Sequence, residues 1–306
     1  MVYHDAMETS IPAPGPAMHP VIRDSLDERY GRFCAELAGC RHTPSLDAVH
    51  DLRVSIRRLN AVLAKIEQFT PTIMVNQCAR ELKLLMKPLG KLRDVHVQVE
   101  WIMSTFPKIG PGLNEYLKRL WSKERRLTKK ITAMLAEYAP AECAALHHDI
   151  MLLPVADDEG KFLAAGCELL DNLFGALDGM KGGASARDNA AQLHAMRIAL
   201  KKYRYTVEIL KPALGDGAGK LLKRMHALQT LLGDIHDFDV LIGKTAKFSR
   251  EKERTVYETA NMKNALRKLR RLRREMNAKL LGMLDAELAS ISPASLARGA
   301  DGQAEG

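Results

Sequence analysis

The sequence predicts an all-α protein built from an internal duplication. Aromatic residues make up 5% of the 306-residue chain, and the alternating runs of β-branched residues that are typical of strands are absent from it. Long segments instead carry apolar residues at spacings of three and four. One basic helical motif occurs twice, followed each time by the same landmark, which indicates two copies of one unit. We therefore expect two pseudo-symmetric four-helix bundles.

The duplication is visible in two pairs of segments. The run His50-Asp-Leu-Arg-Val-Ser-Ile-Arg-Arg-Leu-Asn60 aligns with His194-Ala-Met-Arg-Ile-Ala-Leu-Lys-Lys-Tyr-Arg204. Further on, Leu89-Gly-Lys-Leu-Arg-Asp94 aligns with Leu232-Gly-Asp-Ile-His-Asp237. The two pairs occur in the same order at nearly the same separation, so a chance match is a poor explanation.

Each half is predicted to contain four helices: a first helix, a motif helix, a shorter third helix and a long fourth helix. In the first half they lie near residues 20–38, 46–69 and 75–90, with the fourth ending near 138. In the second half they lie near 158–178, 188–211 and 218–232, with the fourth ending near 290.

The domain boundary is predicted around residues 140–157, where prolines and acidic residues interrupt the helical pattern. The first half is then 19–150 and the second half 151–292. Residues 1–18 and 293–306 are rich in Pro, Gly or small residues and are predicted to be a disordered leader and tail.

Composition indicates a soluble chain with an anionic partner. Lys and Arg total 46 against 37 Asp and Glu, a net charge of +9, which favours polyanions without naming one. No apolar run approaches the length of a membrane span, and the N-terminus lacks the features of a secretory signal, so we expect a cytoplasmic protein without a membrane partner. The five cysteines include no C-x-x-C pair, so we expect reduced residues, neither a disulfide framework nor a zinc site.

Both motif helices are expected to carry a cationic face opposite an apolar one. At 3.6 residues per turn, His50, Arg53 and Arg57 share one face, while leucines and isoleucines gather on the other. The second copy repeats this arrangement. A solvated face is the ordinary interpretation of such charges, but solvated faces usually mix signs. Since the second motif contains no acid between His194 and Arg204, stacked like charges favour an anion site.

The third helices add further basic residues and a glycine-aspartate pair. We predict that Gly90 and Gly233 each end a helix and that Asp94 and Asp237 cap or orient the next one. An alternative role for the aspartates is to hold an arginine of the motif helix. The candidate anion-binding residues of the third helices are Arg80, Lys83, Lys87 and Lys91 in the first half, and Lys220, Lys223, Arg224 and His226 in the second.

The motifs His50-x-x-Arg53-x-x-x-Arg57-Arg58 and His194-x-x-Arg197-x-x-x-Lys201-Lys202, each followed by Leu-Gly-x-x-[Arg/His]-Asp, resemble the CHAD family, the conserved histidine α-helical domain. The likeness extends over about residues 20–290. It implies two bundles enclosing a basic channel, binding of inorganic polyphosphate and recruitment to polyphosphate granules. The first 20 residues are too few for the triphosphate tunnel metalloenzyme domain of some relatives, so we expect a stand-alone form.

The resemblance also implies which residues bind the ligand. Asn60 departs from the family pattern, which usually has a basic residue there, as the second copy does. The implied polyphosphate ligands are His50, Arg53, Arg57, Arg58, His194, Arg197, Lys201, Lys202 and Arg204.

Three other functions stay open at this stage. Single-stranded RNA would also use a basic groove, although such grooves interleave aromatic rings for base stacking, and the basic faces here offer Tyr205 alone. The long basic fourth helices could bind an acidic protein. His50-Asp51 and His236-Asp237 superficially resemble the His-Asp pair of metal-dependent phosphohydrolases, but the second copy has Ala195 in place of Asp51. We therefore expect a non-enzymatic protein without catalytic residues, metal or cofactor.

Overall fold

The computed structural model describes residues 17–69, 73–156, 158–186, 189–251 and 255–297. Within these ranges the regular structure is α-helical, apart from one isolated bridge between Met18 and Val155. The all-α prediction is therefore confirmed. The helices are α1 (Pro20–His42), α2 (Leu46–Phe69), α3 (Ile73–Thr105), α4 (Pro111–Glu137), α5 (Ala141–Leu152), α6 (Glu159–Asp178), α7 (Lys181–Ala184), α8 (Ala190–Leu214), α9 (Asp216–Arg250), α10 (Val256–Ser290) and α11 (Ala294–Ala297).

The predicted leader and tail fall largely outside the described residues, which begin at residue 17 and end at residue 297. Inside the predicted segments, Met18 is buried in the first hydrophobic core, and the short helix α11 follows α10. None of the described helices combines the length and the apolarity that crossing a bilayer requires.

The third helices are much longer than predicted, and this corrects the role given to two glycines. Helix α3 continues through Gly90, and α9 continues through Gly233. Asp94 and Asp237 therefore lie inside helices and cap nothing. A glycine in a helix interior costs only about 1 kcal/mol relative to alanine. Buried apolar residues such as Leu89 and Leu92 continue the core-facing stripe past this point, so packing overrides the local preference.

Most of the predicted boundary region, residues 140–157, is occupied by helix α5. Helix α5 buries Cys143, Leu146 and Ile150 in the same core as α1, α2 and the first part of α3. Pro140 stands at its N-cap, where a missing backbone N–H is tolerated. The proline that suggested a break therefore marks the start of a helix.

The expectation of reduced cysteines is wrong for one pair. Cys78 of α3 and Cys143 of α5 form a disulfide, with Cα atoms 4.8 Å apart, within the usual range. The two residues are 65 positions apart in the chain, so only the tertiary packing of α5 on α3 brings them together. Cys34, Cys40 and Cys167 are free.

Three hydrophobic cores organise the helices. The first core joins α1, α2, α5, the start of α3 and the end of α4. The second joins α6, α8, the start of α9 and the end of α10. The third core, which the sequence did not suggest, joins the far ends of α3 and α9 with the starts of α4 and α10. Residues from both halves of the chain therefore share it.

We expect Phe238→Ala to lower the free energy of unfolding by about 3–5 kcal/mol, because removing a buried aromatic ring leaves a cavity. Phe238 is 1% exposed in the third core and packs edge-on against Trp101, with ring centroids 4.6 Å apart. Urea unfolding followed by circular dichroism measures the loss. Ile198→Ala on α8 is the control, since that side chain is 51% exposed and its loss should change stability by no more than about 0.5 kcal/mol. Similar losses in the two variants would contradict the third core.

Candidate anion-binding site

A cavity of about 470 Å³ opens between α2, α3, α8 and α9. It is lined mainly by basic and other polar side chains. The basic lining residues are His50, Arg53, Arg57, Arg58, Arg93, Arg197, Lys201, Arg204, His226 and His236. The other polar lining residues are Asp94, Gln98, Tyr205, Gln229, Thr230, Asp234 and Asp237, and the remainder are Val54, Val97, Gly233 and Val240.

The two motif helices present their cations to this cavity because their opposite faces are anchored in separate cores. Leu52 and Ile56 of α2 are fully buried in the first core. Leu200 and Tyr203 of α8 are equally buried in the second core. The Tyr203 hydroxyl also donates a hydrogen bond to the carbonyl of Ile291 at 2.8 Å. The helical period then fixes the basic residues on the remaining face.

Gly90 makes room for Arg53. A Cβ atom at position 90 would lie 2.7 Å from Nη1 of Arg53, closer than carbon and nitrogen atoms approach without a bond. The corresponding glycine, Gly233, is less crowded, because a Cβ there would lie 3.9 Å from Nε of Arg197. The first glycine therefore allows a guanidinium to lie directly against the backbone of α3, a different role from the predicted helix end.

Burial and mutual repulsion lower the pKa values of the cavity's cations. Burial, reinforced by Arg57, lowers the pKa of Arg53 to about 10, while Asp94 opposes the shift. Burial, followed by Arg197 and Arg57, lowers the pKa of Lys201 to about 7. Positive charge is therefore costly in this cavity, and an anionic ligand would relieve that cost.

The pKa values of two histidines in the site are lowered as well. Burial, then Arg93, lowers the pKa of His50. Burial, then Arg197, lowers the pKa of His236 to about 4. At neutral pH both rings are neutral, and each offers one N–H donor.

Four buried guanidinium nitrogens of cavity-lining residues have no hydrogen-bond partner among the described residues. They are Nη1 of Arg93 and the Nε atoms of Arg58, Arg197 and Arg204. Leaving a buried donor unsatisfied costs about 1–3 kcal/mol, and an oxygen-rich anion provides the missing acceptors. This is the clearest structural indication of a ligand.

Arg58 and Arg204 border the cavity but already have an anionic partner. Nε of Arg58 lies 3.2 Å from Oε2 of Glu208, and Nη2 of Arg204 lies 3.0 Å from Oε1 of the same carboxylate. Arg204 also donates through Nη1 to Gln229 at 2.5 Å. At this end of the cavity the protein supplies its own negative charge.

Several residues predicted to bind the anion lie outside the cavity. His194 contacts it indirectly, since its Nδ1 is 3.2 Å from Nδ1 of His236. Arg224 donates to the carbonyl of Ser290 at 3.1 Å and so points toward the end of α10. The others are exposed along α3, α8 or α9 and do not line the cavity: Arg80, Lys83, Lys87, Lys91, Lys202, Lys220 and Lys223.

Sequence reasoning missed Arg93 and His236, which occupy equivalent positions in the two Leu-Gly-x-x-[Arg/His]-Asp segments. They were overlooked because the preceding glycine was expected to end each helix. Had the helices been extended, both residues would have fallen on the cavity-facing side.

No group of three or more His, Cys, Asp or Glu side chains suited to a metal ion occurs within the described part of the chain.

Residues 24–246 match the CHAD domain family. The chain belongs to this family. Among solved structures, the crystal structure of the CHAD domain from the plant Ricinus communis is similar, with 19% identity, coverage of 94% of both chains and a TM-score of 0.62. PptA from Streptomyces chartreusis is similar over 86% of this chain and 97% of its own, with 15% identity and a TM-score of 0.64. At these identities the likeness shows the fold. No curated protein matches the chain.

In this CHAD domain, Gly90→Ala should weaken anion binding without destabilising the fold. The new Cβ displaces the flexible end of Arg53, whereas alanine favours a helix interior by up to about 1 kcal/mol. We expect roughly tenfold weaker binding of a polyanion, the effect of losing one charged hydrogen bond. Calorimetric titration measures it. Gly233→Ala is the matched control and should bind normally, because the contact there is an ordinary one. Equal effects of the two variants would count against the Arg53 position.

Proposed function

We propose that this CHAD domain binds inorganic polyphosphate in the cavity between α2, α3, α8 and α9. The observation that carries the proposal is the set of buried cations with depressed pKa values and unpartnered donors, above all Arg53, Arg197 and Lys201. Polyphosphate carries roughly one negative charge per phosphate and presents only oxygen acceptors. Guanidinium forks, an ammonium group and imidazole N–H groups are sufficient to hold it.

We also propose that the cavity is a basic channel between two pseudo-symmetric halves that arose by duplication. Two features support this. Arg53 and Arg197 occupy equivalent motif positions, and each lies next to the glycine of its own half. His194 contacts His236, while His50 lies close enough to Arg93 for that charge to lower the histidine's pKa. Equivalent positions of the two copies therefore meet at one site.

The proposed activity is binding without catalysis, and it would bring the protein to polyphosphate granules in cells that contain them. The cavity's acids, Asp94, Asp234 and Asp237, stand among cations, where they can orient arginines. Incubation of the protein with polyphosphate, with and without divalent metal, tests this part of the proposal. Release of orthophosphate above the rate without protein would contradict it.

Polyphosphate is favoured over single-stranded RNA by the lining of the cavity. Histidines aside, Tyr205 is the one aromatic residue among those that line it, and base stacking needs several such rings. The deciding experiment is a calorimetric titration with long-chain polyphosphate at near-physiological salt, beside single-stranded RNA of matched charge, followed by competition. Preferential polyphosphate binding supports the proposal. Equal or tighter RNA binding contradicts it, and binding of neither favours an acidic protein partner for the exposed basic helices.

Replacing Arg53, Arg57, Arg197 and Lys201 together with alanine should abolish polyphosphate binding at physiological salt. Each cation that contacts the polymer adds about 0.7 to the slope of log affinity against log salt for a single strand, so the four substitutions should flatten that slope by roughly three. Salt-dependent titrations measure it, and circular dichroism should show unchanged helicity.

The control for that variant removes the same number of charges from the exposed face of α3. Its substitutions are Arg80, Lys83, Lys87 and Lys91 to alanine. We expect only a several-fold loss of affinity, from the weaker long-range field. Equal losses in the two variants would show that binding is diffuse and not located in the cavity.

Polyphosphate binding should take up protons from solution between about pH 7 and 9. In the free protein the pKa of Lys201 is about 7, so the amine is largely neutral above that pH, and a bound polyanion raises its pKa again. Affinity should therefore fall as the pH rises through this window. Calorimetry at about pH 8, in buffers of different ionisation enthalpy, counts the protons. A Lys201→Met variant should take up fewer, and equal uptake would contradict this assignment.

A further inference from the structure

A second cavity, of about 730 Å³, lies next to the first. Arg58 and Arg204 line both cavities, and the second also contains Arg29, Arg32 and Lys211. A path with more cations than acids therefore extends from the first cavity past Arg58 and Arg204 into the second, whose lining also includes Glu28, Glu208 and Asp216.

Glu208 stands at the junction of these two cavities. Its side chain is 11% exposed, and its two oxygens face Arg58 at 3.2 Å and Arg204 at 3.0 Å. Arg29 is a third neighbour, since the Glu208 charge counteracts the effect of burial on the pKa of that guanidinium. Two guanidinium groups thus contact one carboxylate, and a third is near enough for the carboxylate charge to affect its pKa.

This carboxylate occupies the kind of position that a phosphate group would take. Arginine binds carboxylates and phosphates through the same planar set of donors. While Glu208 holds Arg58 and Arg204, its single negative charge offsets part of their positive charge, and a phosphate must compete with it for these two guanidinium groups. Arg57, one residue before Arg58, donates Nε to the Arg53 carbonyl at 3.2 Å and pairs with no carboxylate among the described residues, so its charge is available to a ligand.

We propose that Glu208 is an internal competitor of the polyanion and a specificity-determining residue. It ends the binding site at Arg58 and Arg204 and so limits the number of phosphates that the protein holds. This inference rests on the proposed function. Without the carboxylate, the site would gain two free guanidiniums and continue into the second cavity, toward Arg29, Arg32 and Lys211.

The test is Glu208→Gln, which keeps the shape of the side chain and removes its charge. Calorimetric titration with long-chain polyphosphate should show at least tenfold tighter binding, more phosphate units per protein at saturation, and a salt slope steeper by about 1.4, for two added cations. Tripolyphosphate, which has only three phosphate groups to distribute between the two cavities, should gain less.

The control is Glu275→Gln on α10. It makes the same change in net charge and also frees an arginine, because Glu275 pairs with Arg271 at 3.4 Å on the surface. We expect its affinity and salt slope to equal those of the unchanged chain within twofold. If Glu208→Gln behaves like this control, or binds more weakly than the unchanged chain, Glu208 only joins the helices and the inference is wrong.

A second comparison covers the case in which Glu208→Gln does not fold. In the otherwise unchanged chain, Arg58→Gln should reduce polyphosphate affinity several times less than Arg57→Gln does, because Glu208 already offsets part of the charge of Arg58. Arg57→Gln should reduce it at least tenfold. Equal losses would overturn the inference while leaving the proposed function intact. Absence of polyphosphate binding by the unchanged chain would overturn both.

Discussion

The repulsion among cations held in one cavity is the constraint on which the rest of the structure depends. Arg53, Arg197 and Lys201 are removed from water and lie close enough to lower one another's affinity for a proton. Free side chains would move apart. They stay together because α2 and α8 are fixed by apolar faces in two different cores. Burial of apolar side chains in these two cores thus offsets the electrostatic cost of holding the cations together, and the cations are already in place to bind an anion.

The positive charge of the cavity is unevenly available. Guanidinium donors without a hydrogen-bond partner among the described residues occur on Arg93 and Arg197 and also on Arg58 and Arg204. At Arg58 and Arg204, however, the carboxylate of Glu208 also forms ion pairs with the guanidinium groups. A polyanion entering the cavity would therefore meet free cations at one end and an internal carboxylate at the other. The free cations would determine how tightly the polyanion is held, and the carboxylate would limit how many of its phosphates are held. Net charge alone does not distinguish these two properties.

The sequence predicted the motif helices well because periodicity and duplication act together on them. Every third or fourth residue of α2 and α8 is apolar, and the same cations recur in both copies. Predictions from local sequence patterns were wrong at positions where tertiary contacts determine the structure. Gly90 indicated a helix end, yet packing carries α3 past it and makes room for Arg53. Glu208 lies beyond the aligned motifs, so its contact with Arg58 is visible only in the structure. The same is true of the disulfide between Cys78 and Cys143.

The third hydrophobic core has a consequence for how the chain reaches its native state. Leu113 and Leu117 from the first half are buried there against Phe238 and Met262 from the second. A ribosome-bound chain that ends before α9 cannot cover these leucines, whatever the progress of its first core. Folding of the two halves is therefore coupled late in synthesis, and the loop-closure entropy of joining such distant segments slows its last step. Severing the chain between α5 and α6 would leave each fragment with an uncovered apolar surface.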